Sequence, residues 1–366
     1  MALVAFFISA FISASAIPWI ILYAHKRNLF DSHDERKIHS GNIPRLGGVG
    51  IVFSFLVTIA IMTIFGGAFI EGQAYILEIV PILISGFLVF LLGLVDDIRG
   101  VRAIVKLIVQ ILVAVGVMAA GFVFRIVSVP WGNHHLDLGL FSYPLTLFWI
   151  IGITNSINLI DGMDGLAGGV VFISSFAFAL FALEGKNNLS AEICFAIMGS
   201  SAGFLLYNLP PAKIFMGDAG SLFLGFMMAL LPLLGERIEG VGVGLASSVL
   251  ILSIPIFDTL MAIYRRKRAG VSFFTADKGH LHHKLLDRGF TCPRSLLIIY
   301  GISGALGIAA LSSFFLPLGW SMAVKSIALA GIFTFFAIIN SKNNQLSALS
   351  AEVAFKEYKS TTKESS

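Results

Sequence analysis

Long apolar runs alternate with short polar stretches along almost the whole chain. The runs fall at 3–23, 46–66, 76–95, 101–121, 144–160, 166–183, 190–208, 219–234, 242–264, 295–316 and 319–340. Most approach the roughly 20 residues that an α-helix needs to cross a bilayer. The ten-residue alternation of a membrane β-barrel is absent. The pattern predicts an all-α, polytopic integral membrane protein of about 11 spans. It forms a single membrane domain over 1–340, followed by a polar tail over 341–366 that is rich in Ser, Lys and Glu. Residues 1–25 also carry a small-residue stretch, Ser13 to Ala16, that resembles a cleavage site. No basic residue precedes the first apolar run, so an uncleaved first span fits better.

Composition excludes a soluble enzyme. Of 366 residues, 57% are hydrophobic and 13% charged, about half the charged share of a soluble domain. The 37 Gly and 33 Phe suit helices that approach closely through small residues and face lipid with aromatic ones. Cys194 and Cys292 lack metal-ligand spacing and read as unpaired.

The placement of charge sets the orientation. If the loop over 24–45 is cytoplasmic, alternate crossings leave only Arg125, Lys186, Arg237 and Lys325 outside, and the other 21 of 25 Lys and Arg inside. The positive-inside rule then predicts an external N-terminus and a cytoplasmic C-terminus. Nothing in this pattern points to a nucleic-acid partner.

On that topology four polar segments fall on the cytoplasmic face. Asp96 and Asp97 end the third span. Asn155, Asn158, Asp161, Gly162, Asp164 and Gly165 end the fifth. Asn208 closes the seventh, and the segment from Pro210 to Ser221, with Phe215 and Asp218, enters the eighth. His280, His282 and His283 follow the ninth. The site loops are therefore 24–45, 96–101, 161–165, 209–218 and 265–294. Adjacent acids at a helix end are often a solvated cap, which is the plain reading of Asp96 and Asp97 taken alone. Asp161 and Asp164 are three apart between glycines, so they share one face or one tight loop that a ligand can approach. Carboxylates gathered in one place repel unless a cation neutralises them, and oxygen-only sites suit Mg²⁺ or Mn²⁺ held together with phosphate. The histidines lie among Lys278, Lys284 and Arg288, which suits phosphate oxygens better than zinc. His134 and His135, on an external loop, read as incidental. Asp258, just after Pro255 in the ninth span, is an ionisable group in an apolar run and hence a functional suspect. The proline could kink that span and open a groove to lipid.

Taken together, these motifs resemble the polyprenyl-phosphate N-acetylhexosamine-1-phosphate transferases, from Pro44-Arg45-Leu46-Gly47-Gly48 to His283 and in that family's order. The His280-Leu281-His282-His283 segment, preceded by Tyr264, Arg265 and Arg266, resembles the branch that uses UDP-GlcNAc to begin O-antigen, enterobacterial common antigen or teichoic-acid linkage synthesis. The peptidoglycan branch, which transfers phospho-N-acetylmuramoyl-pentapeptide, has three consecutive histidines, and Leu281 interrupts them here.

The resemblance implies transfer of N-acetylhexosamine-1-phosphate from UDP-HexNAc to undecaprenyl phosphate at the inner face of a bacterial cytoplasmic membrane, with UMP released. It implies Asp218 and Asp164 as metal contacts for Mg²⁺ or Mn²⁺. Asp96 and Asp97 become an essential pair, either as a base or as positioning groups. Phe215 would stack on uracil, and Asn208, Asp161 and Gly162 would contact the nucleotide. Asn158 would order its loop, Arg45 would bind substrate, and His280, His282, His283 and Arg266 would hold phosphates or the amino sugar. A homodimer is compatible with such a bundle. A transporter or flippase is the competing class, but transporters place their sites near the midplane between repeats, and the acids here cluster at helix ends.

Overall fold

The computed structural model of the chain describes residues 1–27, 29, 43–67, 73–128, 135–236, 244–272, 275, 277, 279–317 and 319–340. The expected tail over 341–366, most of the 24–45 loop, His134, Arg237 and Lys278 lie outside these residues. Every apolar run becomes a helix. In chain order these are α1 (Ala2–Arg27), α2 (Gly47–Met62), α3 (Gln73–Arg99), α4 (Ala103–Ala119), α5 (Ser142–Ile160), α6 (Leu166–Glu184), α7 (Asn188–Asn208) and α8 (Gly217–Glu236). Then follow α9 (Leu245–Ile251), α10 (Ser253–Arg268), the short α11 (Leu281–Asp287), α12 (Cys292–Phe315) and α13 (Gly319–Asn340). Among the described residues, nine helices are long and apolar enough to cross a membrane, or ten if the bent pair α9 and α10 is one span. With 17 residues, α4 is shorter. Among the described residues the one strand pair is a small antiparallel hairpin, β1 (Ile126–Ser128) with β2 (His135–Asp137), which pairs Val127 with Leu136.

Helix α8 is the axis of the bundle. Every residue from Gly217 to Leu234 is buried inside the protein, and α2, α3, α5, α6 and α7 pack around it. The indole of Trp149 on α5 donates to the Ala229 carbonyl at 3.0 Å. Since lipid is as apolar as the helix surfaces, such a bundle holds together by close packing and interhelical hydrogen bonds. The contact of α1 with α7 illustrates both. Ser9 and Ser13 donate to the carbonyls of Ala196 and Ser200 at 2.7 and 2.9 Å. A Cβ on Gly199 or Gly203 would lie 2.3 Å from the Phe6 carbonyl oxygen or 2.6 Å from that of Ala10.

The ninth apolar run is not a straight span. It turns by 80° between α9 and α10. The break sits at Leu252 (φ −100°, ψ 18°), and Pro255 lies in the first turn of α10, where its missing N–H is tolerated. The expected kink is therefore real but precedes the proline, and it aims α10, with Asp258, toward the histidine segment.

Candidate active site

The end of the bundle where α3, α5, α7 and α10 finish and α2, α4, α6 and α8 begin gathers the polar motifs. Its scaffold is a backbone ladder. The Phe215 amide donates to the Pro44 carbonyl at 2.8 Å, and the Gly47 and Gly48 amides donate to the carbonyls of Phe215 and Met216 at 2.9 and 2.8 Å. This close approach requires glycine. A Cβ on Gly48 would lie 2.1 Å from the Gly220 nitrogen, and Gly217 turns into α8 at φ +72°. Across the ladder, α3 touches the start of α8 at Gly93, where a Cβ would lie 2.3 Å from the Asp218 carbonyl oxygen.

This scaffold brings Asp96, Asp97 and Asp218 together with two cations. Asp97 accepts from the amides of Asp218 and Ala219, both at 2.8 Å, so it caps α8 from another helix and satisfies its first free N–H groups. Asp218 meets the Arg45 guanidinium at 3.0 Å and the Lys106 ammonium at 3.1 Å. Lys106 also reaches Asp96 at 2.8 Å, and Arg45 reaches Asp97 at 3.3 Å. Asp96 takes a further hydrogen bond from the Val101 amide at 2.6 Å. Two cations against three acids leave the cluster anionic. Lys106 is the member of this cluster that sequence reasoning missed. A lysine four residues into the apolar helix α4 was the available signal, since an ionisable group inside a span is there for a reason.

The 161–165 loop lies beside this cluster. Desolvation pushes the Asp161 carboxyl up to about 7, against the pull of Arg45 and helped by the nearby charges of Asp218, Asp97 and Asp164. Asp164 is buried and accepts from the Ala212 amide at 2.9 Å. Asn208 braces two loops, accepting from the Gly165 amide at 2.9 Å and donating to the Ile214 carbonyl at 2.8 Å. Any contact it makes with a nucleotide comes from an amide already held in place. Asn158 donates to Ser221 at 2.8 Å and ties α5 to α8. Phe215 is half-buried at the ladder, three residues before Asp218.

The histidine segment joins the loop through Gly162, where a Cβ would lie 2.7 Å from His282 Nε2. His282 is 2% exposed, and neither ring nitrogen has a hydrogen-bond partner among the described residues. Burial, with the neighbouring charge of His283, pushes its pKa down to about 3. His282 thus packs on the loop, where burial favours its neutral form. Arg266 is buried, and its Nε likewise lacks a partner among the described residues. Arg265 instead pairs with Asp277, which also accepts from the Gly279 amide at 2.9 Å. Lys284, which burial lowers to about 8, hydrogen-bonds Asn340, and Arg288 donates to the Ile339 carbonyl at 2.6 Å. The end of α13 thus supports the helix that carries the histidines.

Comparison with known sequences gives the family. The sequence model described as glycosyl transferase family 4 matches residues 79–236. A probable undecaprenyl-phosphate N-acetylglucosaminyl 1-phosphate transferase of Bacillus subtilis is 37% identical over 308 residues, 84% of each chain. The chain belongs to glycosyl transferase family 4. A decaprenyl-phosphate N-acetylglucosaminephosphotransferase of Mycolicibacterium smegmatis is 30% identical, covering 88% of this chain and 84% of its own. An undecaprenyl-phosphate α-N-acetylglucosaminyl 1-phosphate transferase of Escherichia coli K12 is 30% identical over 82% and 81%. The matched segment of this family 4 protein runs from within α3 to the end of α8. It thus holds Asp96, Asp97, Lys106, the 161–165 loop and Asp218, while Arg45 and the histidines lie outside it.

Proposed function

We propose that the protein transfers N-acetylglucosamine-1-phosphate from UDP-GlcNAc to a polyprenyl phosphate, undecaprenyl phosphate in the first instance, and releases UMP. An oxygen of the lipid phosphate attacks the sugar-bearing β-phosphorus of the donor. The bond from that phosphorus to the oxygen bridging the α-phosphate breaks, so the product is polyprenyl-diphosphate-GlcNAc. The observation that carries this reading is the Arg45–Asp218–Lys106–Asp96 network at the ends of membrane helices. A lipid-anchored anion and a water-soluble anion can meet only at such an interface, and only where positive charge offsets their repulsion.

The donor set fits a divalent cation. Asp218 and Asp164 offer oxygen alone, the chemistry of a hard ion, and no three His, Cys, Asp or Glu side chains form a ready shell among the described residues. Mg²⁺ is commonly held in this way, by one or two carboxylates and the substrate phosphates. We assign Mg²⁺, or Mn²⁺, to Asp218 with Asp164 as second contact; when bound it would neutralise diphosphate charge and act as a Lewis acid. Arg45 and Lys106 bind phosphate oxygens from either side of Asp218. Asp97 acts by holding the start of α8, and Asp96 by holding Lys106. A phosphate with a second pKa near 6 is already largely ionised at pH 7 and needs no base. Phe215 offers a ring to the uracil, while Asp161 and Gly162 line the nucleotide side. Arg266, with its buried Nε, serves a phosphate or the amino sugar. The 21-to-4 distribution of basic residues supports a cytoplasmic site, an external N-terminus and a bacterial inner membrane.

The test is UMP release by purified protein with undecaprenyl phosphate and a panel of UDP-sugars. UDP-GlcNAc should be the best donor. Release only from UDP-N-acetylmuramoyl-pentapeptide would transfer the protein to the peptidoglycan branch, and no release from any donor would refute the reading.

A further inference from the structure

Asp258 is the one acid of α10 that the proposed chemistry leaves unused. It lies six residues beyond the 80° break and is 2% exposed. A buried carboxylate needs partners, because an uncompensated charge away from water is costly. Both oxygens of Asp258 have one. Oδ2 lies 2.7 Å from His280 Nδ1, and Oδ1 accepts from the Leu281 amide at 2.8 Å. One side chain thus fixes the ring of His280 and the first amide of α11.

The hydrogen-bond count sets the tautomer. An ionised carboxylate can only accept, so Nδ1 of His280 carries a proton toward Asp258. The other ring nitrogen, Nε2, makes no hydrogen bond to another described residue. A neutral ring with a bare Nε2 would repel a phosphate oxygen, whereas an imidazolium donates to one. The other titratable groups around the ring are Asp277, itself paired with Arg265, and His282 and Lys284 on α11. His282 is parallel to His280 at 5.9 Å between centroids and stays neutral. It therefore does not compete for the charge.

We infer that Asp258 is a positioning residue that holds His280 as an Nδ1-protonated ring, with Nε2–H presented to a phosphate oxygen of the reactants. The inference rests on the phosphotransfer reading above. Within the histidine segment the labour divides: His280 is fixed by Asp258, and His282 packs against Gly162.

The experiment compares wild type, Asp258→Asn, His280→Gln and the double variant, recording kcat, KM for UDP-GlcNAc, KM for undecaprenyl phosphate and Tm across pH. Asparagine has one acceptor oxygen and cannot serve both donors. Asp258→Asn should lower kcat/KM by about 10- to 100-fold, the usual effect of removing a residue that orients a working imidazole. A group that only stabilises the fold would instead lower Tm and leave both KM values unchanged. Whichever KM rises identifies the reactant whose phosphate His280 holds. The double variant should be no worse than His280→Gln alone. Unchanged KM values with a lowered Tm, or losses that multiply, would overturn the inference. Should Asp258→Asn fail to fold, ¹⁵N-histidine spectra of the wild type decide. A protonated Nδ1 for His280 at pH 7 supports the inference, and a bare Nδ1 overturns it. If wild type releases no UMP, the phosphotransfer reading fails on its own, while the spectra still judge the tautomer.

Discussion

The three acids that meet near α8 differ in how much freedom they retain. Asp97 is held by two amides, and Asp96 by an amide and Lys106. The Asp218 carboxyl is met by side chains alone, Arg45, Lys106 and Asp96, which a metal and a diphosphate could displace without disturbing backbone. Asp218→Asn should therefore cut turnover by orders of magnitude with little change in Tm, and EDTA should abolish activity that Mg²⁺ or Mn²⁺ restores. Undiminished turnover in EDTA would remove the metal from the proposal. His282 yields a second expectation. Its folded pKa of about 3 lies below the 6.5 of a free imidazole. Between these values the unfolded chain binds the extra proton, so this contribution is present above pH 6.5 and is lost as pH falls toward 3. The Tm of wild type should drop more steeply between pH 7 and 5 than that of His282→Asn, and equal slopes would contradict a buried neutral ring. At this scale the acids and histidines were legible because polar residues stand out in an apolar chain. Their partners were not. Lys106 looked like one more flanking charge, and the Asp258–His280 pair joins residues 22 apart that no local spacing connects.

Among elements, the site depends on how closely backbones approach. Gly48 and Gly220 let α2 and α8 touch, and the ladder through Phe215 and Met216 carries Arg45 to Asp218. Gly48→Ala would force a Cβ into backbone that cannot rotate away. A loss of at least about 1–3 kcal/mol is expected from such overpacking, with activity falling because Arg45 and Asp218 separate. Gly116→Ala is the matched control. That residue lies inside α4, and a Cβ there would meet nothing within 4 Å, so the change should be neutral or stabilising by up to about 1 kcal/mol. Similar Tm losses for both would show that helix propensity, not close approach, is being measured. The spans themselves were readable because lipid demands about 20 apolar residues for each. The 80° turn at Leu252 was not, because both halves stay apolar and the sharpest local signal, Pro255, sits three residues further on.

For the whole molecule, the decisive property is that every charged motif lies at one end of the bundle. The hydrogen bonds that join the starts and ends of successive spans make this a structural fact, independent of charge counting. Arg45, Asp97 and Asp218 link the start of α2, the end of α3 and the start of α8, and Arg288 reaches the end of α13. At the opposite end, Asn187 before α7 donates to the Leu234 carbonyl of α8 at 3.4 Å. The side of the membrane that each end faces rests on charge alone, so it needs its own experiment. Lys213, exposed beside the site, and Lys186, exposed at the far end, are each replaced by cysteine in a Cys292→Ser background; Cys194 is buried and stays. In intact cells an impermeant thiol reagent should label Lys186→Cys and not Lys213→Cys, and after permeabilisation it should label both. External labelling at 213 would put the acids on the side away from cytoplasmic sugar nucleotides. The bundle, the carboxylate network and the family would stand, but a UDP-sugar could no longer be the donor.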